Sequence, residues 1–543
     1  MKQSQQSETI NSSALIELNL VPENRPTDEV SIVDTSPDYP TGLTLWLVLV
    51  TVGAIIVLAS IDINIVATAV PSITDHFHTV EHVGWYSSAF RLCMCAFQFI
   101  FGKAYTIFPV KRVFLLSNFI SIVGSIICGA ATSSMMLIIG RAVAGLASAG
   151  LFAGCLVILA QSLPLHRRPL VLGIISGLEG TTIMAAPLLG GAISQSWSWR
   201  WCFFINAPIG IVSLALTMYC VKDVPTSTAA TEKTSLRAKV KQLDLLSTAL
   251  LLPSLTSLFL ALSWVGVKFA WNSTEMILLF IVFGVLLLLF IYHQTRRGDD
   301  ATLPPRIMKR RTVIAGFLFI MFTNSASNVL EYYLPTFYQT VRGFSPAQSG
   351  YMMLPVLIGA TIGAVTHGAG TSWLGYYAPF MLFTSIILPI STGLITSVAV
   401  DTSVVKLIMY TGLSGFAYGI GFSGPQNAVQ TVLPQEDIPL GLSAMLFAQS
   451  FGPSVAIVGA QTIFTSQLSV NLEGIAPGLN RMALAEKGLI ELISEVPASD
   501  VEKVILQIHR SIVPTWYLVV ALACLTIFGS AAIEWRSVKA KID

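Results

Sequence analysis

Charge is what this chain has least of. Only 11% of its 543 residues are Asp, Glu, Lys or Arg, while 54% are hydrophobic, against roughly a quarter charged in soluble domains. With a mean hydropathy of +0.72, that scarcity excludes a soluble globular chain and points to a polytopic membrane protein. The formal net charge of +2 says little, because in a membrane protein charges matter by side rather than by sum. Other absences narrow the class further. All seven cysteines fall within apolar runs, so no structural disulfide is expected. The first forty residues are polar and lack the basic, apolar and cleavage regions of a signal peptide. No Gly-Lys-Ser phosphate loop, His-Glu-x-x-His or Gly-x-Ser-x-Gly occurs. Nucleotide-driven pumping and hydrolysis therefore find no support. The expectation is a protein that is not an enzyme, has no cofactor and no nucleic-acid partner, and draws energy from a gradient.

What is present is a series of apolar runs. A bilayer core about 30 Å thick takes roughly 20 apolar residues per helix, and spans must be helices that satisfy their own backbone. Such runs lie near 43–68, 83–101, 113–131, 135–162, 169–194, 201–220, 244–263, 275–293, 313–335, 348–366, 377–399, 404–424, 440–466 and 514–534. This predicts an all-α protein of about fourteen spans with both termini on one side. Basic clusters at Lys103/Lys111/Arg112, Arg167/Arg168, Arg237/Lys239/Lys241, Arg296 to Arg311 and Arg536/Lys539/Lys541 all fall on that side, making it cytoplasmic. The layout reads as a disordered tail (1–42), a six-helix bundle (43–221), linkers with an inserted helix pair (222–312), a second six-helix bundle (313–536) and a short tail (537–543). Two bundles with an inserted pair suit alternating access.

Between the last two spans, segment 467–513 suggests an amphipathic helix on the outer face, with a small lid as the alternative. "NST" at Asn272 is an N-glycosylation sequence close to the membrane. "TDHFHTVEH" (74–82) brings His78 and His82 together, but a solvated loop is expected there rather than a metal site.

An ionisable residue in hydrocarbon costs about 2.5–3.5 kcal/mol even on lenient scales, so each needs a partner or a purpose. Five qualify: Asp62, Arg91, Arg141, Glu179 and Glu331. At 1.5 Å rise per residue, Asp62, Arg91 and Arg141 lie at similar depth. Asp62 therefore pairs with Arg141 or with Arg91, either as a permanent brace or as a pair that breaks during conformational change. Glu179 falls near the midplane as a proton carrier or a polar cavity residue. Glu331 either snorkels to the interface or binds protons or substrate. Pro187 with Gly190 and Gly191 marks a kink or a close static contact. Amides and aromatics of the second bundle, with Arg91, make a candidate cavity for a bulky amphiphile: Phe322, Asn324, Tyr332, Tyr333, Phe422, Gln426 and Gln449. The bland alternative is a lipid-facing aromatic belt.

Six ordered stretches carry a resemblance: "IDINIVATAVP", "GRAVAGLASAGLFAG", "APLLGGAISQSWSWRWCFFINAPIG", "YYLPTFYQTVRGFSPAQSG", "VLPQEDIPLGLSAMLFAQSFG" and "AIEWRSVK". Together they resemble fourteen-span drug:proton antiporters of the major facilitator superfamily, above all fungal members associated with efflux of toxins and other secondary metabolites. The resemblance implies proton coupling through Asp62 and Arg141, and a fifth-span antiporter motif at Gly173, Pro187, Gly190 and Gly191. Thr182 and Ala186 stand where that motif usually has Gly. The loop motif after the second span keeps Gly102 and Lys111 but has Thr106 for the usual Asp and Pro109 for the usual Gly, so its charge relay is absent or rebuilt. The implied protein is a monomeric plasma-membrane exporter, with a vacuolar or vesicle membrane as the alternative. Its partners are an amphiphilic small molecule, protons and the bilayer. The rival readings are uptake of a siderophore chelate or other solute and a non-transporting receptor.

Overall fold

The computed structural model describes residues 39–78, 82–221, 239, 241–265, 269, 271–472 and 500–539. The first half comprises α1 (Gly42–Asn64), α2 (Val66–Phe77), α3 (Val83–Ile107), α4 (Val110–Gly129), α5 (Ser134–Ser162), α6 (Arg168–Ser196), α7 (Trp201–Phe204) and α8 (Asn206–Cys220). The inserted pair is α9 (Leu245–Trp264) and α10 (Thr274–Arg297), followed by the short α11 (Pro305–Met308). The second half comprises α12 (Arg311–Thr336), α13 (Pro346–Met352), α14 (Leu354–Leu374), α15 (Ala378–Thr396), α16 (Val404–Phe422), α17 (Gly424–Val432), α18 (Ile438–Leu472) and α19 (Val501–Ala532). The result is two six-helix bundles and an inserted pair.

Thirteen helical segments among the described residues are long and apolar enough to cross a membrane. α3 is not among them, because Arg91, Gln98 and Lys103 lower its hydropathy. At 25 residues it nonetheless matches its neighbours in length. Local signals set the ends. Ser133 caps α5, its hydroxyl accepting from the Met136 N–H at 3.2 Å. Ser345 and Gln348 form a reciprocal capping box on α13. α14 stops at Gly375, whose φ of +90° only glycine adopts without strain. Pro335 removes a helical N–H, and α12 passes into a π-helical turn, Phe337–Val341.

Several expected boundaries are wrong. α3 and α14 run on to Ile107 and Leu374, past 101 and 366, while α18 runs on to Leu472 and α19 starts as early as Val501, so both ends of segment 467–513 are continuations of long helices. The apolar spacing there faces protein: Leu468, Leu472, Val504, Ile508 and Ile512 are buried together with Phe337 and Trp516. Residues 473–499, the middle of that segment, lie outside the described residues, as do residues 1–38 of the expected tail and most of the linker 222–243.

Contacts define one basic side. Arg168 donates to the Tyr39 hydroxyl, Arg311 Nε to the Ala532 carbonyl at 2.6 Å, and the Val538 N–H to the Gly375 carbonyl at 2.8 Å. Both described chain ends therefore share the side that carries the Lys and Arg clusters. The inserted pair packs on α3 and α18, with Phe290 stacked near Phe99 and Phe99 against Phe447. Its other face, including Leu278, Ile281, Val285 and Leu288, is exposed and apolar, as a lipid-facing surface must be.

Candidate functional site

α5 supplies the first piece of machinery. Gly140 and Gly145 let it press into α4 and α3: a Cβ at Gly140 would meet Cys128 Sγ at 2.7 Å, and one at Gly145 would overlap the Phe90 backbone. That closeness carries Arg141 to its partners. Its Nη1 donates to Asp62 Oδ1 at 2.9 Å and its Nε to the Tyr86 carbonyl at 3.0 Å. The guanidinium lies 4.4 Å from the Phe90 ring centre. Asn206 Nδ2 adds a donor to Asp62 Oδ1 at 3.2 Å. Arg141 is 1% and Asp62 4% exposed. Asp62 pairs with Arg141 and not with Arg91, and it points away from the molecule's central cavity. Its helix neighbours Ser60, Ile63 and Asn64 line that cavity instead.

The cavity lies between the bundles, with a volume of about 200 Å³. α6 lines it with Ser176, Glu179, Gly180 and Ile183, and α12 with Asn324, Asn328 and Glu331. Each set recurs every three or four residues, one stripe of a helix. Glu331 faces the cavity rather than snorkelling, and its Oε1 accepts from Ser327 Oγ at 2.9 Å. Tyr418 Oη donates to Asn324 Oδ1 at 3.1 Å, and Gln426 Nε2 to Gln449 Oε1 at 3.3 Å. Of the expected cavity residues, Arg91, Asn324, Phe422 and Gln449 line this space. Gln426 lines a smaller extension that also touches Glu179 and Gln449.

Phe322, Tyr332 and Tyr333 do not line it. At about 100° per residue, Phe322 and Tyr333 fall half a turn from the Asn324 stripe. Tyr333 is buried and donates to Gln461 Oε1 at 2.9 Å, while Tyr332 is exposed. Asn206, which donates to Asp62, and Asn64 and Asn328, which line the cavity, were absent from the expected set. A polar amide inside an apolar run was the available signal, as it was for the charged residues.

The bundles meet tightly on the basic side and part toward the other. A Cβ on Gly173 would come 2.5 Å from the Ala364 carbonyl of α14, on Gly177 3.1 Å from Thr361, and on Gly180 3.9 Å from Thr361. Gly102 of α3 packs likewise on Ser443 and Pro439 of α18. The residues expected to form the antiporter motif therefore have different surroundings. Gly173 joins the bundles, Gly190 packs inside the first bundle on Ile65 and Thr68, and a Cβ on Gly191 would have open space around it. Pro187 stands within α6. Ala186 is buried, and Thr182 Oγ1 donates to the Leu178 carbonyl at 2.8 Å.

Charged contacts gather around the expected loop motif and the linker after α10. Lys111 Nζ donates to the Met218 carbonyl at 2.7 Å, near the end of α8. Arg306 forks onto both oxygens of Asp437, at 2.5 and 2.8 Å, and reaches Asp299 at 2.9 Å. Hydrogen bonding to Asp437 raises the Arg306 pKa above its ordinary value. Lys103 of α3 donates to the Asp299 carbonyl at 3.3 Å, so the linker ties α3 to the start of α18. Asp244, in the left-handed region at φ +52°, is held by Ser247, by His293 at 2.9 Å and by Arg297 at 2.8 Å. Burial pushes its pKa up, but these hydrogen bonds outweigh it and leave the group below the usual carboxylate value.

Two helical bundles around a polar cavity that is closed on one side form the layout of a secondary carrier. The chain belongs to the Major Facilitator Superfamily, whose family model matches residues 52–457. It is 41% identical over 504 residues to the MFS-type efflux pump MFS1 of Arthroderma benhamiae, covering 93% of this chain and 94% of that one. It is 37% identical to the efflux pump aflT of Aspergillus parasiticus, covering 92% and 97% of the two chains. To the efflux pump roqT of Penicillium rubens it is 38% identical, covering 88% of each. The crystal structure of the human organic anion transporter MFSD10 (TETRAN) shares the fold at a TM-score of 0.55 and 13% identity, over 88% of this chain and 99% of that one. This is a multi-pass membrane transporter of a family that handles small molecules.

Proposed function

We propose that the protein is a proton-coupled exporter of an amphiphilic organic compound, a toxin, secondary metabolite or drug, working by alternating access. The observation that carries this is the pair of cavity carboxyls, Glu179 on one bundle and Glu331 on the other, neither ion-paired among the described residues. While the cavity is open, water solvates their charge. When the bundles close over them water leaves, and an ionised carboxylate becomes costly in the closed site. Protonation removes that cost, so reorientation requires a proton or a substrate in the cavity. The Asp62–Arg141 pair holds α1 to α5 and transmits the change to the first bundle. The positive-inside rule supports a cytoplasmic basic side and, with it, an outward-open cavity. Each proton entering contributes about 2.3 kcal/mol per 100 mV of membrane potential, plus any pH gradient. The relatives' names as efflux pumps support export over uptake. Plasma-membrane location, a monomeric state and the bundle limits 43–221 and 313–536 belong to the same reading.

The test is efflux from sealed vesicles holding the purified protein, with and without an imposed pH gradient. Glu179→Gln with Glu331→Gln is expected to abolish gradient-driven movement while leaving substrate binding intact. Gradient-driven movement at the wild-type rate in that variant would overturn the assignment.

A further inference from the structure

Arg91 has no use in the mechanism above, and it is the single cation among the residues lining the cavity. Among the described residues it has no ion-pair or hydrogen-bond partner. The anion at its own depth, Asp62, is taken by Arg141 and Asn206. The cavity carboxyls are not paired with it either. Arg91 sits on α3, which meets α18 along one seam of the bundle interface, while Glu179 sits on α6, which meets α14 along another. A guanidinium inside a membrane protein is costly without a counter-ion once water is excluded, so a substrate-loaded site is stabilised by an anionic group on the substrate at this position.

We propose that Arg91 anchors the acid group of the transported molecule, making the substrate an organic anion, a carboxylate or an acidic enol, carried on an apolar body. The guanidinium presents a planar fork that matches a carboxylate with two parallel hydrogen bonds. Gln449 and Ser450 on α18 line the same space and supply further polar partners. The apolar body fits against Met94, Phe152, Ile183, Leu357 and Phe422, which line the remaining walls. This inference rests on the reading of the cavity as the transport site. It also changes the electrical cost of a cycle: a proton entering while a monoanion leaves moves two charges in the same sense.

The experiment is equilibrium binding of a fluorescent pair, dansylaminoundecanoic acid and its methyl ester, to the full chain in nanodiscs. A charge-assisted fork predicts that the acid binds roughly tenfold or more tightly than the ester. Arg91→Gln is expected to erase that difference and leave ester affinity unchanged, which also certifies a folded variant. If Arg91→Gln loses both probes, Arg91→Lys decides: retained acid preference supports the anchor, and its loss overturns it. Equal wild-type affinity for acid and ester, binding of neither, or acid preference surviving in Arg91→Gln overturns it as well. The two readings fail separately. Acid-selective binding without gradient-driven efflux defeats the export reading alone, and efflux without acid preference defeats the anchor alone.

Discussion

The first bundle and the central cavity treat membrane-embedded charge in opposite ways. In the bundle, Asp62 and Arg141 lie 2.9 Å apart and are sealed by Asn206, Phe90 and the Tyr86 carbonyl. In the cavity, Arg91, Glu179 and Glu331 share one space without an ion pair between them. The same energetic rule operates in both places. A satisfied pair buys fixed geometry, whereas unsatisfied groups facing a cavity stay available for something that arrives from solution. On the proposed reading the first is a brace and the second the transport site.

The sharpest way to break this contrast is Asp62→Ala. It strands Arg141 as an uncompensated buried charge, and a loss of about 3–5 kcal/mol is expected. Thermal unfolding in detergent measures it, and adding Arg141→Gln is expected to restore more than half. Strict additivity of the two changes would mean the pair is not a unit.

A smaller effect belongs to Asp244. Its folded pKa lies below the ordinary value of 3.8, so its contribution is fully present above that value and is lost as pH falls through the lower folded one. Asp244→Asn is expected to cost about 1–3 kcal/mol at neutral pH, and the gap from wild type should shrink under acid. A gap that is the same at neutral and acid pH would remove the ionic explanation.

Next comes Gly173→Ala, whose new methyl would press on the Ala364 carbonyl and the Gly368 backbone. Overpacking of this kind costs about 1–3 kcal/mol, here charged to the basic-side closed form alone. Thiol labelling of cysteines introduced at the basic end of the α6–α14 seam should rise. Unchanged labelling would place the bundle contact elsewhere. The smallest stability change is expected for Glu179→Gln, about 0.5 kcal/mol or less, because no ion pair is broken. A loss as large as that of Asp62→Ala would show that Glu179 braces the fold after all.

Much of the fold was legible in the sequence because a bilayer imposes one constraint on every span: enough apolar residues, with the backbone satisfied internally. α1, α5 and α15 were readable for that reason. The far ends of α18 and α19 were not, since their apolar residues face another helix rather than lipid, and composition does not distinguish the two. At the site, Asp62, Arg91, Arg141, Glu179 and Glu331 were visible as charges in apolar runs. Which of the three residues at one depth would pair was not visible. The aromatics misled because Phe322, Tyr332 and Tyr333 are equally at home in a cavity, a core or a lipid belt.

The sequence by itself determined residue chemistry, the position of each charge along its helix and the clustering of Lys and Arg. Rise per residue sets how far apart charges lie along a helix axis, and the basic clusters gather on one side. Azimuth was decided only by the tertiary structure. A helix apolar around its whole circumference has no stripe to declare which way it faces. Packing supplied that rotation, through Gly145 against the Phe90 backbone and Gly173 against α14. It turned Asp62 inward to Arg141 and left Arg91, Glu179 and Glu331 looking into the cavity.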